Sequence, residues 1–117
     1  MYTLGIDLGS SSVKVSLLNL TDGSCKASAF YPKEEMAMIA VQKGWAEQEP
    51  TVWWANLKNA LNDVLKAADI NGKEIKAIGI AYQMHGLVAL EKSGDVIRPS
   101  IIWCDSRAVS YGEKAFR

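Results

Sequence analysis

Residues 1–14 read MYTLGIDLGSSSVK, and the fold turns on how they are parsed. Leu4, Ile6 and Leu8 alternate with Thr3, Gly5 and Asp7. That period of two predicts a strand over Tyr2–Leu8 with one face toward a core. The run meets Gly9-Ser10-Ser11-Ser12 at once, and a second alternating run begins at Val13 and continues to Leu20. The tight connection delivers a carboxylate, a glycine and three hydroxyls to one corner. Backbone N–H groups at a turn make an anion-binding concavity when no side chain stands in the way, and Gly9 permits that approach. Asp7, at the strand end, is placed to hold Mg²⁺ directly or through water, because magnesium takes oxygen ligands and keeps several waters. The corner is therefore a candidate seat for a metal-bound polyphosphate. It is not a P-loop, since GxxxxGK[ST] is absent, and no helix opens after the glycine as a dinucleotide fingerprint requires. An ordinary Gly/Ser-rich hairpin turn fits the same residues. Lys14, just beyond, reads as a solvated lysine on the outer face.

Working outward, Thr21-Asp22-Gly23-Ser24 predicts a hairpin turn, as Asp-Gly tolerates positive φ, and Cys25–Tyr31 a third strand. Three strands on short turns make an antiparallel meander. Pro32 to Glu49 reads as a loop with a short extended piece. Pro50 opens a helix, along which Trp53, Leu57, Leu61, Val64, Leu65 and Ala68 recur at helical spacing. Asn71-Gly72 stops it. Glu74–Ala81 follows as EIKAIGIA, almost unbroken in apolar character from Ala77, which predicts a strand covered on both faces at a central parallel position. Gly86–Leu90 and Val96–Trp103 flank Lys92-Ser93-Gly94-Asp95, a second hairpin. Asp105 or Ser106 is placed to cap a helix running toward Arg117. The order β-β-β-α-β, hairpin, helix describes an α/β mixed sheet with a helical crossover.

The chain has 117 residues, 49% apolar and 22% charged, with zero formal net charge. One small domain with a real core is expected. Neutral charge argues against a general attraction to nucleic acid or an anionic membrane, and no apolar run approaches the roughly 20 residues of a membrane span. No basic segment followed by an apolar core stands at the N-terminus. Cys25 and Cys104 form no CxxC, and are expected as free thiols of a reducing cytoplasm; a disulfide stays open.

Two further clusters carry chemistry. Tyr82-Gln83-Met84-His85-Gly86 follows the apolar strand at the carboxyl end, where open α/β sheets place ligands. Gln83 and His85, the only histidine, are able to hydrogen-bond hydroxyl groups. Trp103-Cys104-Asp105-Ser106-Arg107 joins an aromatic face, a carboxylate and a guanidinium. A sugar fits between such groups, and a core tryptophan followed by a helix capped at Asp105 fits equally. Trp45 and Trp53 read as packing residues, and Trp54, beside the helical stripe, as partly exposed.

GIDLGSSSVK, GWAEQEPTVWW, IKAIGIAYQMHGLVAL and IRPSIIWCDSR, taken in that order, resemble the amino-terminal part of the FGGY carbohydrate kinases, and within them the members that act on xylulose. The resemblance runs from Tyr2 to about Arg107. It implies a ribonuclease H-like, actin-type ATPase fold, of which residues 1–117 are a partial N-terminal lobe. It also implies ATP-dependent, Mg²⁺-assisted phosphorylation of a ketopentose hydroxyl. In such proteins the counterpart of Asp7 supports metal and phosphate, those of Gly9, Ser10, Ser11 and Ser12 form the first phosphate hairpin, and those of Met84, His85 and Trp103 meet the sugar, with Asp105 joined to that pocket here. Glycerol-specific members carry an arginine and a glutamate at the sugar-contact pair. Ser10 and Ser12 stand where threonine and glycine are usual, Cys104 where asparagine is, and Tyr82 where glycine is. Family members are several hundred residues long and keep the general base and the adenosine site further along. The chain is accordingly expected to be an inactive fragment that self-associates, from a cytoplasmic, homodimeric parent without nucleic-acid or membrane partners. Kinases for glycerol, gluconate or rhamnulose, and a non-catalytic actin-like nucleotide module, are the competing readings.

Overall fold

Alternation in the first thirty residues resolves into paired strands in a computed structural model that describes residues 1–116. In chain order the elements are β1 (Tyr2–Leu8), β2 (Val13–Asn19), β3 (Cys25–Tyr31), β4 (Glu47–Gln48), α1 (Pro50–Ala68), β5 (Ile75–Tyr82), β6 (Ser100–Ile101) and α2 (Val109–Ala115). Met1–Met36 with Thr51–Tyr82 make one compact unit. Ala37–Pro50 with the residues from Gln83 onward make a second.

In the first unit the sheet order is β3-β2-β1-β5. β1, β2 and β3 form the expected antiparallel meander, with Leu4 opposite Leu17 and Val15 opposite Ala29. Between β2 and β3, the Gly23 N–H donates to the Asn19 carbonyl at 2.9 Å with φ +71°, a backbone angle that favours glycine. Leu4, Val15 and Leu17 project from one sheet face onto Ala60, Val64 and Ala68 of α1, all buried. The small residues of that helical stripe, four apart, let helix and sheet approach closely. The Tyr31 hydroxyl donates to Asp63 at 2.6 Å, tying the end of β3 to α1. Trp53 is buried and Trp54 exposed, as their spacing predicts. The stop at Asn71-Gly72 is a capping box on one 3₁₀ turn: the Asn71 side chain accepts the Lys73 N–H, and Glu74 accepts the Asn71 N–H, both at 3.0 Å.

β5 pairs in parallel with β1, so the helical crossover is as predicted, but the strand is not central. It forms the sheet edge, and Ile78, Ile80 and Tyr82 are 61%, 63% and 69% exposed. The apolar run records residues unsuited to water. What covers them is a separate matter: the α1 stripe lies over the meander core, and among the described residues no strand pairs with the outer edge of β5.

The second unit is built from brief pairings. β4 and β6 are antiparallel, and single bridges join Ile39 to Glu47, Leu87 to Ile101 and Leu90 to Val96. The hairpin expected over Gly86–Trp103 is thus reduced to bridges around a turn in which the Glu91 N–H donates to Asp95 at 2.8 Å. Pro99, with no N–H to give, interrupts the returning arm. α2 starts after Ala108 without a side-chain cap, so neither Asp105 nor Ser106 serves there. Arg117, toward which that helix was expected to run, lies outside the described residues. Cys25 and Cys104 are free and exposed, and no helix among the described residues is long and apolar enough to cross a membrane.

Candidate functional site

The corner read as a candidate polyphosphate seat belongs to the first unit. β1 ends at Leu8, and the Gly9 N–H donates to the Ser12 carbonyl at 3.1 Å, closing the turn. A Cβ on Gly9 would stand 3.1 Å from the same oxygen, so the tightness of the turn depends on glycine. Outside the turn, the Ser11 carbonyl accepts the N–H of buried Met36 at 2.8 Å. Ser11 and Ser12 line an open hollow with Phe30, Pro32, Lys33, Glu34 and Glu35. Ser10 lies in the same turn. Asp7 is in register with Lys14, so both exposed side chains stand on one sheet face. Among the described residues the Asp7 carboxylate has no hydrogen bond or ion pair. One uncommitted carboxylate beside serine hydroxyls suits Mg²⁺, which is usually bound through one or two carboxylates plus phosphate oxygens and waters.

Sequence reasoning missed Lys33. Its ammonium lies over the rings of Phe30 and Tyr31, at 4.7 and 4.2 Å from their centres, and donates to the Phe30 carbonyl at 2.9 Å. It reaches the hollow from the end of β3, far from the serines in sequence, and no local pattern marks it.

Met84 and His85 follow β5 and are exposed. His85 has φ +62°, the left-handed region, a strain of about 1–3 kcal/mol that clusters at functional sites. The Gln83 carboxamide is buried, with neither its nitrogen nor its oxygen hydrogen-bonded. Leu87 and Ile101 exchange backbone hydrogen bonds at 2.8 and 3.1 Å, which brings the Met84–Gly86 and Trp103–Cys104 loops to the same end of the paired segments. The Asp105 N–H donates to the Ile102 carbonyl at 3.0 Å, so Trp103 and Cys104 are the central residues of a turn, with Trp103 57% exposed.

Asp105 is fully engaged. Oδ2 accepts the Ala46 N–H at 2.6 Å and Arg107 Nη2 at 2.7 Å. Oδ1 accepts the Arg107 backbone N–H at 2.8 Å and Nε at 2.9 Å. A carboxylate offers about four lone-pair sites, so the expected sugar contact meets an acceptor with none to spare. Arg107 also donates to buried Glu47 at 2.7 Å, Arg98 pairs with the same oxygen, and the guanidinium lies 3.8 Å from the centre of the Trp45 ring.

Hydrogen bonds from the Arg107 side chain, then from the Ala46 and Arg107 backbone, hold the Asp105 carboxyl well below the usual carboxylate range. A depressed folded-state pKa contributes stability above the unfolded value, about 3.9, and loses it as pH falls below that. Asp105→Asn is therefore expected to flatten the loss of stability below about pH 4, read by urea denaturation at a series of pH values. An unchanged slope would mean that Asp105 is not the group titrating.

A family model described as the FGGY family of carbohydrate kinases, N-terminal domain, matches residues 2–115. The chain is 42% identical over 107 residues to a xylulose kinase of Klebsiella pneumoniae, covering 92% of this chain and 21% of that protein. It is 32% identical to a glycerol kinase of Rhizobium rhizogenes, covering 99% of this chain and 23% of that protein. The crystal structure of a xyloylose kinase from Brucella ovis superposes with a TM-score of 0.85 at 31% identity, over all of this chain and 25% of that one. The chain thus spans about a fifth of the length of the curated relatives it matches.

Proposed function

Because the chain belongs to the FGGY family of carbohydrate kinases, with an actin-type mixed α/β sheet, we propose that it supplies the phosphate-gripping and sugar-contacting part of an ATP-dependent kinase for a ketopentose, xylulose. The observation that carries this is the uncommitted Asp7 carboxylate at the end of β1, beside the Gly9–Ser12 turn. Mg²⁺, when bound there, neutralises charge on the phosphates of ATP. Asp7 holds the metal directly or through water. The turn, fixed by the Gly9–Ser12 and Met36–Ser11 hydrogen bonds, presents the backbone and hydroxyls of Ser10, Ser11 and Ser12 to the phosphate oxygens. Met84, His85 and the indole of Trp103 orient the sugar.

The FGGY resemblance puts the base that takes the sugar hydroxyl proton further along the sequence than these groups, so the chain alone is expected to bind ligands without turnover. The same reading puts the protein in the cytoplasm, in keeping with its free, exposed thiols, and makes the kinase that contains it a homodimer. The likeness to a glycerol kinase supports a second reading, another polyol as acceptor; the Met84-His85 pair favours the ketopentose.

Calorimetric titration with ADP and Mg²⁺ tests the assignment. Binding should depend on the metal and weaken about tenfold, some 1.4 kcal/mol, in Asp7→Asn. A coupled ADP-release assay should show no turnover with xylulose above the sugar-free control. Absence of nucleotide binding would refute the grip, and clear turnover would refute the missing base.

A further inference from the structure

We propose that Asp105, Arg107 and Glu47 form a positioning clamp for Trp103, so that Asp105 serves a bound sugar through the turn it anchors rather than by touching it. This rests on the sugar-kinase reading of the site. The turn Ile102–Asp105 projects Trp103 at its tip, and its base is gripped along one short stretch, Gly44–Glu47. Ile102 donates its N–H to the Ala46 carbonyl at 3.0 Å, and Ala46 donates its own to Asp105. Ser106 donates its backbone N–H at 2.8 Å and its hydroxyl at 3.0 Å to the Gly44 carbonyl. Arg107 bridges the Asp105 and Glu47 carboxylates while its plane rests on Trp45.

Most of these bonds involve backbone or ionised groups, and a bidentate guanidinium fixes direction as well as distance. The Asp105 and Glu47 side chains are only 3% and 5% exposed, so water does not compete for them. A sugar hydroxyl seeking Asp105 would have to displace a charged donor. An indole carried on a turn fixed at its base needs no such exchange, and pre-organisation of that kind raises affinity by sparing ordering on binding.

The test compares Asp105→Asn, Arg107→Lys and the double variant with the unaltered chain. Xylulose affinity is followed by NMR titration, and amide exchange is measured over residues 102–107. Lysine keeps the charge but loses the fork and the stack. The clamp predicts that each single change weakens xylulose binding by about tenfold, that the double change adds little, because both break one device, and that exchange quickens by a similar factor. If Asp105→Asn weakens binding while Arg107→Lys does not, Asp105 touches the sugar and the clamp is overturned. Lower melting temperatures with unchanged affinity overturn it as well, leaving a merely structural ion pair. If the unaltered chain takes no xylulose, the sugar reading falls and exchange alone decides. Faster exchange in Arg107→Lys then upholds the anchor of Trp103, and unchanged exchange removes it.

Discussion

The chain is expected to self-associate through β5, and lysine at both Ile78 and Ile80 to leave it monomeric in light scattering. β5 is an edge strand that carries two exposed isoleucines and Tyr82, with Lys76 as its one charged residue, near its start. Natural edges are blunted by charges, proline or bulges, and the central part of this one has none. The groove between β5 and α1 extends the apolar surface through Leu61, Leu65 and Ile75. Two copies pairing β5 to β5 around a two-fold axis would complete both edges at once and face the same residues against each other. Full burial of an isoleucine is worth about 1.5–3 kcal/mol. Ile78 and Ile80 have about three-fifths of that surface still to lose, so each contributes roughly 1 kcal/mol. Counted on both copies this is about 4 kcal/mol, or roughly a thousandfold in Kd. Desolvating four lysines adds to the penalty. Should the unaltered chain scatter as a clean monomer at high concentration, the edge is not adhesive and the expectation fails.

Alanine at Gly44 should destabilise the second unit by about 2–4 kcal/mol, from two separable causes. Gly44 has φ +83°, where an L side chain meets its own backbone at a cost of about 1–2 kcal/mol. In addition, a Cβ there would fall 2.4 Å from the Ser106 hydroxyl oxygen, which itself donates to the Gly44 carbonyl. Ser106→Ala removes that oxygen and leaves its Cβ at an acceptable 3.8 Å. In the Ser106→Ala background, Gly44→Ala should then cost only the backbone share, about 1–2 kcal/mol. Urea denaturation of the four proteins closes the cycle. Equal costs in both backgrounds would show that the serine is not what excludes a side chain, and a negligible cost would deny the strain as well.

The meander was readable because β1 alternates over seven residues, β2 alternates through Val13, Val15 and Leu17, and a single Asp-Gly turn joins the last two strands. α1 was readable from Pro50 and a stripe at helical spacing. The placement of β5 was only half readable. Its apolar run predicts a parallel strand, whereas its exposure depends on neighbours that the run does not encode. The second unit resists local reading for a different reason. Its strands, at two residues each, are too short to show a period. Asp105 could be read as a helix cap or a sugar ligand from its neighbours, yet the backbone amide it holds is 59 residues away. The available signal was Arg98 and Arg107 flanking an apolar stretch: two cations next to a buried strand require acids, and Glu47 lies in the other half of the pairing. At the candidate phosphate corner, Asp7 and the serines stand together in the sequence itself, while Lys33 reaches the same hollow as the serines only through the fold.

The hydrogen bond from the Thr3 hydroxyl to the Ala77 carbonyl joins residues 74 positions apart. During synthesis the meander leaves the ribosome long before its helical cover exists. Between Tyr31 and Ala68 a nascent chain growing at about 5–20 residues per second needs roughly 2–7 s. For that interval Leu4, Val15 and Leu17 have no helix to cover them, and their apolar side chains face water on a tethered polypeptide.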